Sequence, residues 1–203
     1  MRFHHLQTLI AASLAVSAYG SIIPDEAPAK GYEVFIPEWE LELTPGGEKA
    51  FLNGTVQEVF DEIHHMNPLY SKAFGLDLYP TTPPSAKEKR ADFSDARVIC
   101  QNFPAGSVSA GYDVIRYLRA FPGKPINDAG PGTCGRVSCS WGTAIWWCND
   151  DNKLKTLNSF GSIADGADKV WGMCTDRNSH YDKASGQAFH DTNCNVIIRN
   201  ADC

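Results

Sequence analysis

The placement of the cysteines constrains this chain more than any other feature of its sequence. All seven lie at or after residue 100, and the first 99 residues contain none. There is no C-x-x-C pair, and the spacings fit no zinc ribbon or finger, so no metal site is expected. A domain of this size buries only a modest core. Three disulfides, each contributing roughly 2–4 kcal/mol, are therefore expected to supplement that core in an oxidising compartment.

Seven is an odd number, so one thiol remains outside the bridges. Any six cysteines allow fifteen pairings, and the residues themselves identify neither the pairing nor the unpaired member. The leftover thiol would be a reactive group, an intermolecular bridge, or a buried side chain that behaves as a small apolar residue.

The first twenty residues have the pattern of an export signal. Arg2 provides a basic start, and an apolar run from Leu9 to Val16 precedes small residues before Ser21. The run is too short to cross a bilayer, and no second apolar stretch follows. We therefore expect a signal peptide over residues 1–20 and a secreted, extracellular product without a stable membrane anchor.

A second boundary is predicted after Lys89 and Arg90. Residues 80–88 are rich in proline and should remain extended and accessible. A dibasic pair in such a linker, directly before the cysteine-bearing part, resembles the sites cut by kexin-type proteases of the fungal secretory pathway. The expected parts are the signal peptide, an acidic pro-segment over residues 21–90, and a mature cysteine-rich domain over residues 91–203.

Charge is divided unevenly between these parts. Residues 21–90 carry 12 acidic and 6 basic side chains, whereas residues 91–203 carry 12 acidic and 11 basic side chains. The net charge of −6 is therefore mostly that of the pro-segment. No clustered basic sequence is visible in the mature domain, so a nucleic-acid partner is not expected.

The pro-segment has the pattern of one strand followed by one helix. Residues 35–43 alternate apolar side chains with glutamates, as in a strand with one buried face. Thr55 and Glu58 form a capping box ahead of an apolar stripe that ends near Asn67. Asn53 begins an Asn-Gly-Thr glycosylation sequon. One strand and one helix are too little to fold alone, so the segment should cover the mature domain as a chaperone or mask.

Six elements are predicted in the mature domain, in the order β-α-β-β-α-β. They are a strand at 96–101, a helix capped by Ser109, a hairpin of 135–141 and Thr143–Asn149, a helix with its stripe from Phe160 to Cys174, and a strand at Cys194–Asn200. Residues 124–133 are expected to be a turn-rich loop. The order predicts an α+β fold, a split β-α-β, ferredoxin-like two-layer sandwich with two helices on one face of a four-stranded antiparallel sheet.

Several runs of the mature domain carry a family resemblance. They extend from Cys134 to Asp150 and over residues 163–165, then include Cys174, residues 186–187 and residues 195–197. These runs resemble small secreted cysteine-rich proteins of filamentous ascomycete fungi. Dibasic processing, several disulfides and the element order are similar to killer-toxin-like effectors of plant pathogens and to the viral killer toxins of smut fungi. The resemblance implies a killer-toxin-like fold and an effector, virulence or toxin-like role, and it transfers no active-site residue.

The resemblance also bears on the odd thiol. Relatives of this kind are expected to carry another residue at the position of Cys194, which makes Cys194 the first candidate for the unpaired cysteine. The six expected in bridges are then Cys100, Cys134, Cys139, Cys148, Cys174 and Cys203.

No catalytic constellation is visible in the mature domain. It contains no Glu, no G-x-S-x-G, no P-loop and no H-E-x-x-H motif. His180 and His190 are the two histidines that an acid–base pair of a ribonuclease-like site could use. No catalytic residue and no cofactor are therefore predicted.

Two adjacent tryptophans indicate a contact surface. Trp146 and Trp147 are consecutive in a predicted strand, so they must face opposite sides of the sheet. If the helices cover one side, the other tryptophan lies on the open face as a partner surface, unless the pro-segment or a loop covers it. We expect the pro-segment strand to lie over that face, with Trp39 beside the outward tryptophan.

The leading hypothesis is a secreted, non-enzymatic effector or toxin-like protein. It would act on a host or competitor protein or cell-surface component after a processing protease has cut the precursor. One alternative is an inhibitor of an extracellular enzyme that uses residues 124–133 as a rigid probe. Another is a small secreted hydrolase or ribonuclease that uses His180 and His190.

Overall fold

The computed structural model describes residues 27–77, 91–178 and 182–203. The predicted signal peptide, the predicted linker with Lys89 and Arg90, and His180 lie outside them. The part before the dibasic pair forms β1 (Glu33–Phe35), β2 (Glu38–Glu42), β3 (Lys49–Asn53), α1 (Val56–Met66) and α2 (Tyr70–Phe74). The part after it forms β4 (Arg97–Cys100), β5 (Gly106–Ser107), α3 (Val108–Ala120), β6 (Lys124–Asn127), β7 (Thr133–Ser140), β8 (Thr143–Asn149), β9 (Lys155–Thr156), α4 (Gly161–Cys174), β10 (Thr175–Asp176), β11 (Lys183–Ala184), β12 (Gly186–His190) and β13 (Cys194–Asn200).

A six-stranded sheet organises the molecule. Its strand order is β1-β7-β8-β13-β12-β4, and all neighbours are antiparallel except β1, which joins the edge of β7 in parallel. Apolar residues of α3 and α4 pack with Ile145, Trp147 and Val196 of the sheet in one large core. The predicted α+β class, with its two long helices, is confirmed.

The strand order differs from the predicted split β-α-β sandwich. A split arrangement interleaves the two β-α-β units, which would place β4 beside β8. Instead β13 pairs with β8 along its whole length, and β12 lies between β13 and β4. The sequence of β12, Gly-Gln-Ala-Phe-His, lacks the apolar alternation of a strand, so pairing on both edges, and not local pattern, places it in the sheet.

A four-stranded sheet joins the two parts of the chain. Its order is β3-β2-β6-β9, so β2 of the predicted pro-segment pairs with β6 of the predicted mature domain. The loop predicted over residues 124–133 is therefore wrong at its start, because β6 is paired on both sides. Because proline has no N–H to donate and is rare inside sheets, Pro125 made a strand at this position difficult to predict from the sequence.

The predicted pro-segment contributes to the main core. Thr55 caps α1 with both halves of the predicted capping box formed. Val56, Val59 and Ile63 of α1 are fully buried. Trp39 is also fully buried, with its ring stacked on Phe160 at a centroid distance of 4.0 Å. The expectation that Trp39 lies over the open face is thus wrong, because it packs in the core on the helical side.

The two long helices approach each other closely at Gly111. A Cβ at this position would lie 1.6 Å from Cζ2 of Trp171, so only glycine admits the indole of α4 against α3. Helix α3 begins at Val108 with Ser107 as its N-cap, two residues before the predicted cap Ser109. The tight α3–α4 contact fixes the layer behind the main sheet.

Candidate partner-binding face

Trp146 and Trp147 lie on opposite faces of β8, as the alternation of a strand requires. Trp147 belongs to the main core beneath the helices. Trp146 belongs to a second cluster on the other face, which we call the covered face. Its buried members are Cys134, Ala144, Trp146, Cys148 and Ile197.

The covered face is not open in the uncut chain. Trp146 is 2% exposed and Trp147 is 1% exposed. Tyr32 and Val34 of the pro-segment pack against the covered face together with Phe103 of the mature domain. The predicted partner surface at Trp146 and Trp147 is therefore buried in the full chain, and part of its cover is supplied from the segment ahead of Lys89-Arg90.

A polar cluster lies beneath the phenol of Tyr32. Gln187 Nε2 donates to the Tyr32 hydroxyl at 3.1 Å and lies 3.0 Å from Oδ1 of Asn195. Asn195 Nδ2 donates to Oδ2 of Asp150 at 2.7 Å and lies 3.5 Å from the Tyr32 hydroxyl. Asn195 is fully buried and Gln187 is 5% exposed. Two buried amides thus converge on one hydroxyl group.

Burial and charge act together on the two acidic groups of this cluster. Burial, with a smaller contribution from the nearby Asp150 carboxylate, raises the pKa of Tyr32 above its ordinary value. Burial likewise raises the pKa of Asp150, although the hydrogen bond from Asn195 opposes that shift. The cluster therefore favours a neutral phenol in the position that Tyr32 occupies.

Arg199 fixes the chain that leads into Tyr32. Its Nη1 donates to the carbonyl oxygen of Pro28 at 2.6 Å, and its guanidinium lies 5.8 Å from the ring centre of Phe103. From Pro28 to Phe35 the pro-segment is thus bound first by Arg199, then by the polar cluster, and last by the edge of β7.

Sequence reasoning missed an exposed aromatic side chain at the β7–β8 turn. Trp141 is 87% exposed and adopts a positive φ of 48°. The predicted hairpin included Trp141 as the last residue of its first strand. Strand β7 instead ends at Ser140, and Trp141 lies in the turn that leads into β8.

Three disulfides confirm the prediction of a bridged framework. Cys100 in β4 pairs with Cys174 at the end of α4, and Cys134 pairs with Cys148 across β7 and β8. The third bridge ties the chain end to β7 by joining Cys139 with Cys203. Such bridges are compatible with a protein that enters an oxidising compartment.

Cys194 is the cysteine outside these bridges. Its thiol is 1% exposed and lies 3.7 Å from the hydroxyl of Thr192. Burial raises the pKa of this thiol, which disfavours the nucleophilic thiolate. It is placed as a small buried side chain at the start of β13.

His190 contacts Thr192, in the turn that follows β12, and Phe93. Its Nδ1 is 2.8 Å from Oγ1 of Thr192, and its ring centre is 4.8 Å from that of Phe93. No pairing with His180 can be described, since that residue is outside the described ranges. Within residues 27–77, 91–178 and 182–203, no group of three or more His, Cys, Asp and Glu side chains is arranged to hold a metal ion.

Asn53, in the predicted glycosylation sequon, is the last residue of β3, and it is exposed. Among the parts of the chain that the structure describes, no helix combines the length and apolar character needed to cross a membrane.

Comparison of the chain with protein-family models, with curated proteins and with solved structures finds no match.

Proposed function

We propose that this chain is the precursor of a secreted, non-enzymatic effector or toxin-like protein that acts through a partner outside the cell. The partner would be a host or competitor protein or a cell-surface component. One observation carries the proposal: Tyr32 and Val34, which precede Lys89-Arg90, cover the face that contains Trp146. Cutting after Arg90 would break the covalent connection between this cover and the face.

The toxin-like part of the proposal rests on the sequence resemblance. The killer-toxin-like fold expected from that resemblance has four strands in its sheet. The main sheet of this chain has six, because it also contains β12 and, from the pro-segment, β1. A non-enzymatic effector or toxin needs a surface that recognises its partner, and it does not need a catalytic group. The covered face meets that requirement with an indole, two amides and a carboxylate.

Cleavage and dissociation must be separate steps. Fully burying one large apolar side chain contributes about 1.5–3 kcal/mol, so the pro-segment should stay bound after the chain is cut. Its side chains in the core, all 1% exposed or less, are Trp39, Leu41, Val56, Val59, Ile63 and Tyr70. Activation therefore needs a partner or a change of conditions that displaces the cut segment.

The inhibitor hypothesis is less well supported. Residues 124–127 form β6 between β2 and β9, so four of the ten residues of the predicted probe belong to a paired strand and not to a loop. The hydrolase hypothesis stays a prediction that depends on His180.

Binding to target cells provides the test. The wild-type chain, expressed in a host with a kexin-type protease, is compared with an uncut variant that carries Lys89→Ala and Arg90→Ala. We expect the labelled wild-type product to bind cells of a host or competitor organism and the uncut variant to bind at least about tenfold more weakly, because its cover stays tethered. A matched control carries Lys153→Ala and Arg177→Ala, which remove two exposed basic residues elsewhere. Equal binding by wild type and the uncut variant would contradict the proposal.

A further inference from the structure

β1 and the adjoining Tyr32 lie along the edge of β7 and over the covered face, a surface that we call the groove. We propose that this groove binds an extended peptide segment of a partner protein, which pairs with β7 and places a tyrosine hydroxyl against Gln187 and Asn195. In the precursor, β1 and Tyr32 occupy the groove as a built-in mimic of that peptide. This inference rests on the proposed function, in which the pro-segment leaves the mature domain.

The first support is the main-chain pairing of β1. It lies at the outer edge of the main sheet, where it pairs with β7 alone, in parallel, over Glu33 to Phe35. Glu33 N donates to the carbonyl oxygen of Gly132 at 2.8 Å. Main-chain hydrogen bonds of this kind do not depend on side-chain identity, so any extended segment can replace β1.

The polar cluster supplies specificity for tyrosine. Each of the two buried amides loses one of its two acceptors when the hydroxyl is absent, which disfavours a phenylalanine. Gln187 and Asn195 are hydrogen-bonded to each other, and Asn195 also donates to Asp150, so both amides are oriented by contacts that do not involve the pro-segment. A tyrosine of the partner would meet the same two donors that Tyr32 meets.

An apolar subsite follows two residues later. Val34 lies opposite Cys134 in the register with β7 and packs against the cluster that contains Trp146. The indole nitrogen of Trp146 is buried and has no hydrogen-bond partner among the described residues. A partner that places an oxygen beside this nitrogen would gain a hydrogen bond that the pro-segment does not make. Such a partner could displace β1.

An extended peptide explains the cover better than a sugar does. A glycan could stack on an indole and bind amides, but it has no use for the strand edge of β7. The hydrogen bond from Arg199 to the carbonyl oxygen of Pro28 also recognises a main-chain atom of a peptide. The ligand class is therefore a peptide with the pattern tyrosine, any residue, apolar residue.

The test uses the full chain with its groove opened by Tyr32→Ala and Glu33→Pro. These changes remove the hydroxyl and the N–H that binds Gly132, while β2 and α1 remain attached. The probe is a fluorescent nine-residue peptide with the sequence of residues 29–37, and binding is followed by fluorescence polarisation. The peptide should bind the opened chain, and replacing its tyrosine by phenylalanine should weaken binding about tenfold. The wild-type chain should bind the peptide at least about tenfold more weakly than the opened chain, since its tethered β1 competes at high effective concentration.

Gln187→Leu in the opened chain supplies the matched control. This variant should prefer the tyrosine peptide over the phenylalanine peptide less strongly than the opened chain with Gln187 intact does, because only the 3.5 Å contact from Asn195 to the hydroxyl remains. Equal binding of the two peptides by the opened chain with Gln187 intact would overturn the inference. Absence of peptide binding, or preference for an oligosaccharide over the peptide, would also overturn it. No cleavage is needed, so the result is independent of whether Lys89-Arg90 is processed.

A second measurement applies if the opened chain does not fold. The single variant Tyr32→Ala keeps β1 and leaves a space shaped for a phenol. Millimolar p-cresol should raise its melting temperature more than toluene at the same concentration does, because only p-cresol carries the hydroxyl. Equal effects of the two compounds, or no effect of either, would count against the tyrosine pocket.

Discussion

The amide of Gln187 donates a hydrogen bond to the hydroxyl of Tyr32 at 3.1 Å, although 155 positions separate the two residues along the chain. The dibasic pair Lys89-Arg90 lies between them. A single cut there would turn this intramolecular contact into a contact between two chains, whose strength then depends on concentration.

Processing should give a defined new N-terminus. Mass spectrometry of material secreted by a kexin-competent host should find a product that begins at Ala91. The backbone N of Ala91 donates to Oγ of Ser162 at 3.0 Å, so the new terminus should stay anchored on α4. Recovery of the intact species over residues 21–203 alone would contradict this prediction.

Thiol chemistry should distinguish Cys194 from the other six cysteines. Alkylation of the native, unreduced protein should label at most one cysteine, and slowly, because Cys194 is buried and burial raises its pKa. Reduction should unfold the domain, since each bridge contributes roughly 2–4 kcal/mol. Cys194→Ala should remove the slow labelling and leave the folded structure intact. Three or more reactive thiols in the native protein would contradict the framework.

Tyr32→Phe should destabilise the uncut chain by about 1 kcal/mol at neutral pH, because the amide of Gln187 loses one of its two acceptors. The pKa of Tyr32 is raised in the folded state, so the folded chain holds the phenol proton more tightly than the unfolded chain. This contribution is present below pH 10, the ordinary value, and is lost as pH rises through the raised pKa.

Urea unfolding at pH 7 and near pH 11 checks both statements. The difference in the free energy of unfolding between wild type and Tyr32→Phe should shrink at the higher pH. Tyr112→Phe is the matched control, because Tyr112 is 53% exposed and should tolerate the change at either pH. A difference that grows with pH would show that the phenol is not held in its neutral form.

Tyr70→Phe should have the opposite effect on stability. The Tyr70 side chain is fully buried, and its hydroxyl has no hydrogen-bond partner among the described residues. Burial, with a smaller effect of Glu42, raises the pKa of Tyr70 to about 12. Removing a buried hydroxyl that lacks a partner should stabilise the chain by about 1 kcal/mol at pH 7, again measured by urea unfolding. A loss of stability would contradict this prediction, because it would mean that the hydroxyl forms a hydrogen bond in the folded chain.

Local patterns in the sequence predicted the elements that local interactions determine. The capping box of Thr55 and Glu58, the apolar stripe of α4 and the bounds of β13 depend on residues close together in the chain. The strands that pattern analysis missed in the predicted mature domain are β5, β6, β9, β10, β11 and β12. The two longest of them, β6 and β12, are both paired on two sides. Long-range pairing stabilises them in spite of a proline in one and weak alternation in the other.

Only part of the candidate site could be predicted from the sequence. Adjacent tryptophans in a strand predicted a residue on each face, and Trp146 and Trp147 are so placed. The polar cluster has no motif, because Gln187, Asn195 and Asp150 come from different elements and meet only through the strand order. No spacing in the sequence relates them to Tyr32.

Tryptophan accessibility should report whether the cut pro-segment leaves. In the uncut chain Trp146 is buried beneath Tyr32 and Val34, whereas Trp141 is already exposed and would dominate quenching by acrylamide or iodide. The measurement is therefore best made in a Trp141→Phe background. Cutting alone should change quencher access little, because the pro-segment stays packed through Trp39 and its neighbours in the core.

Separating the cut segment under mild denaturant should then expose Trp146, and the quenching constant should rise at least about twofold once its cover is gone. The Lys89→Ala, Arg90→Ala variant, treated in the same way, is the control for denaturant effects on the fold. If the pro-segment dissociates and quencher access to the tryptophans of the mature domain does not change, the segment does not cover the Trp146 face, and this account of activation is wrong.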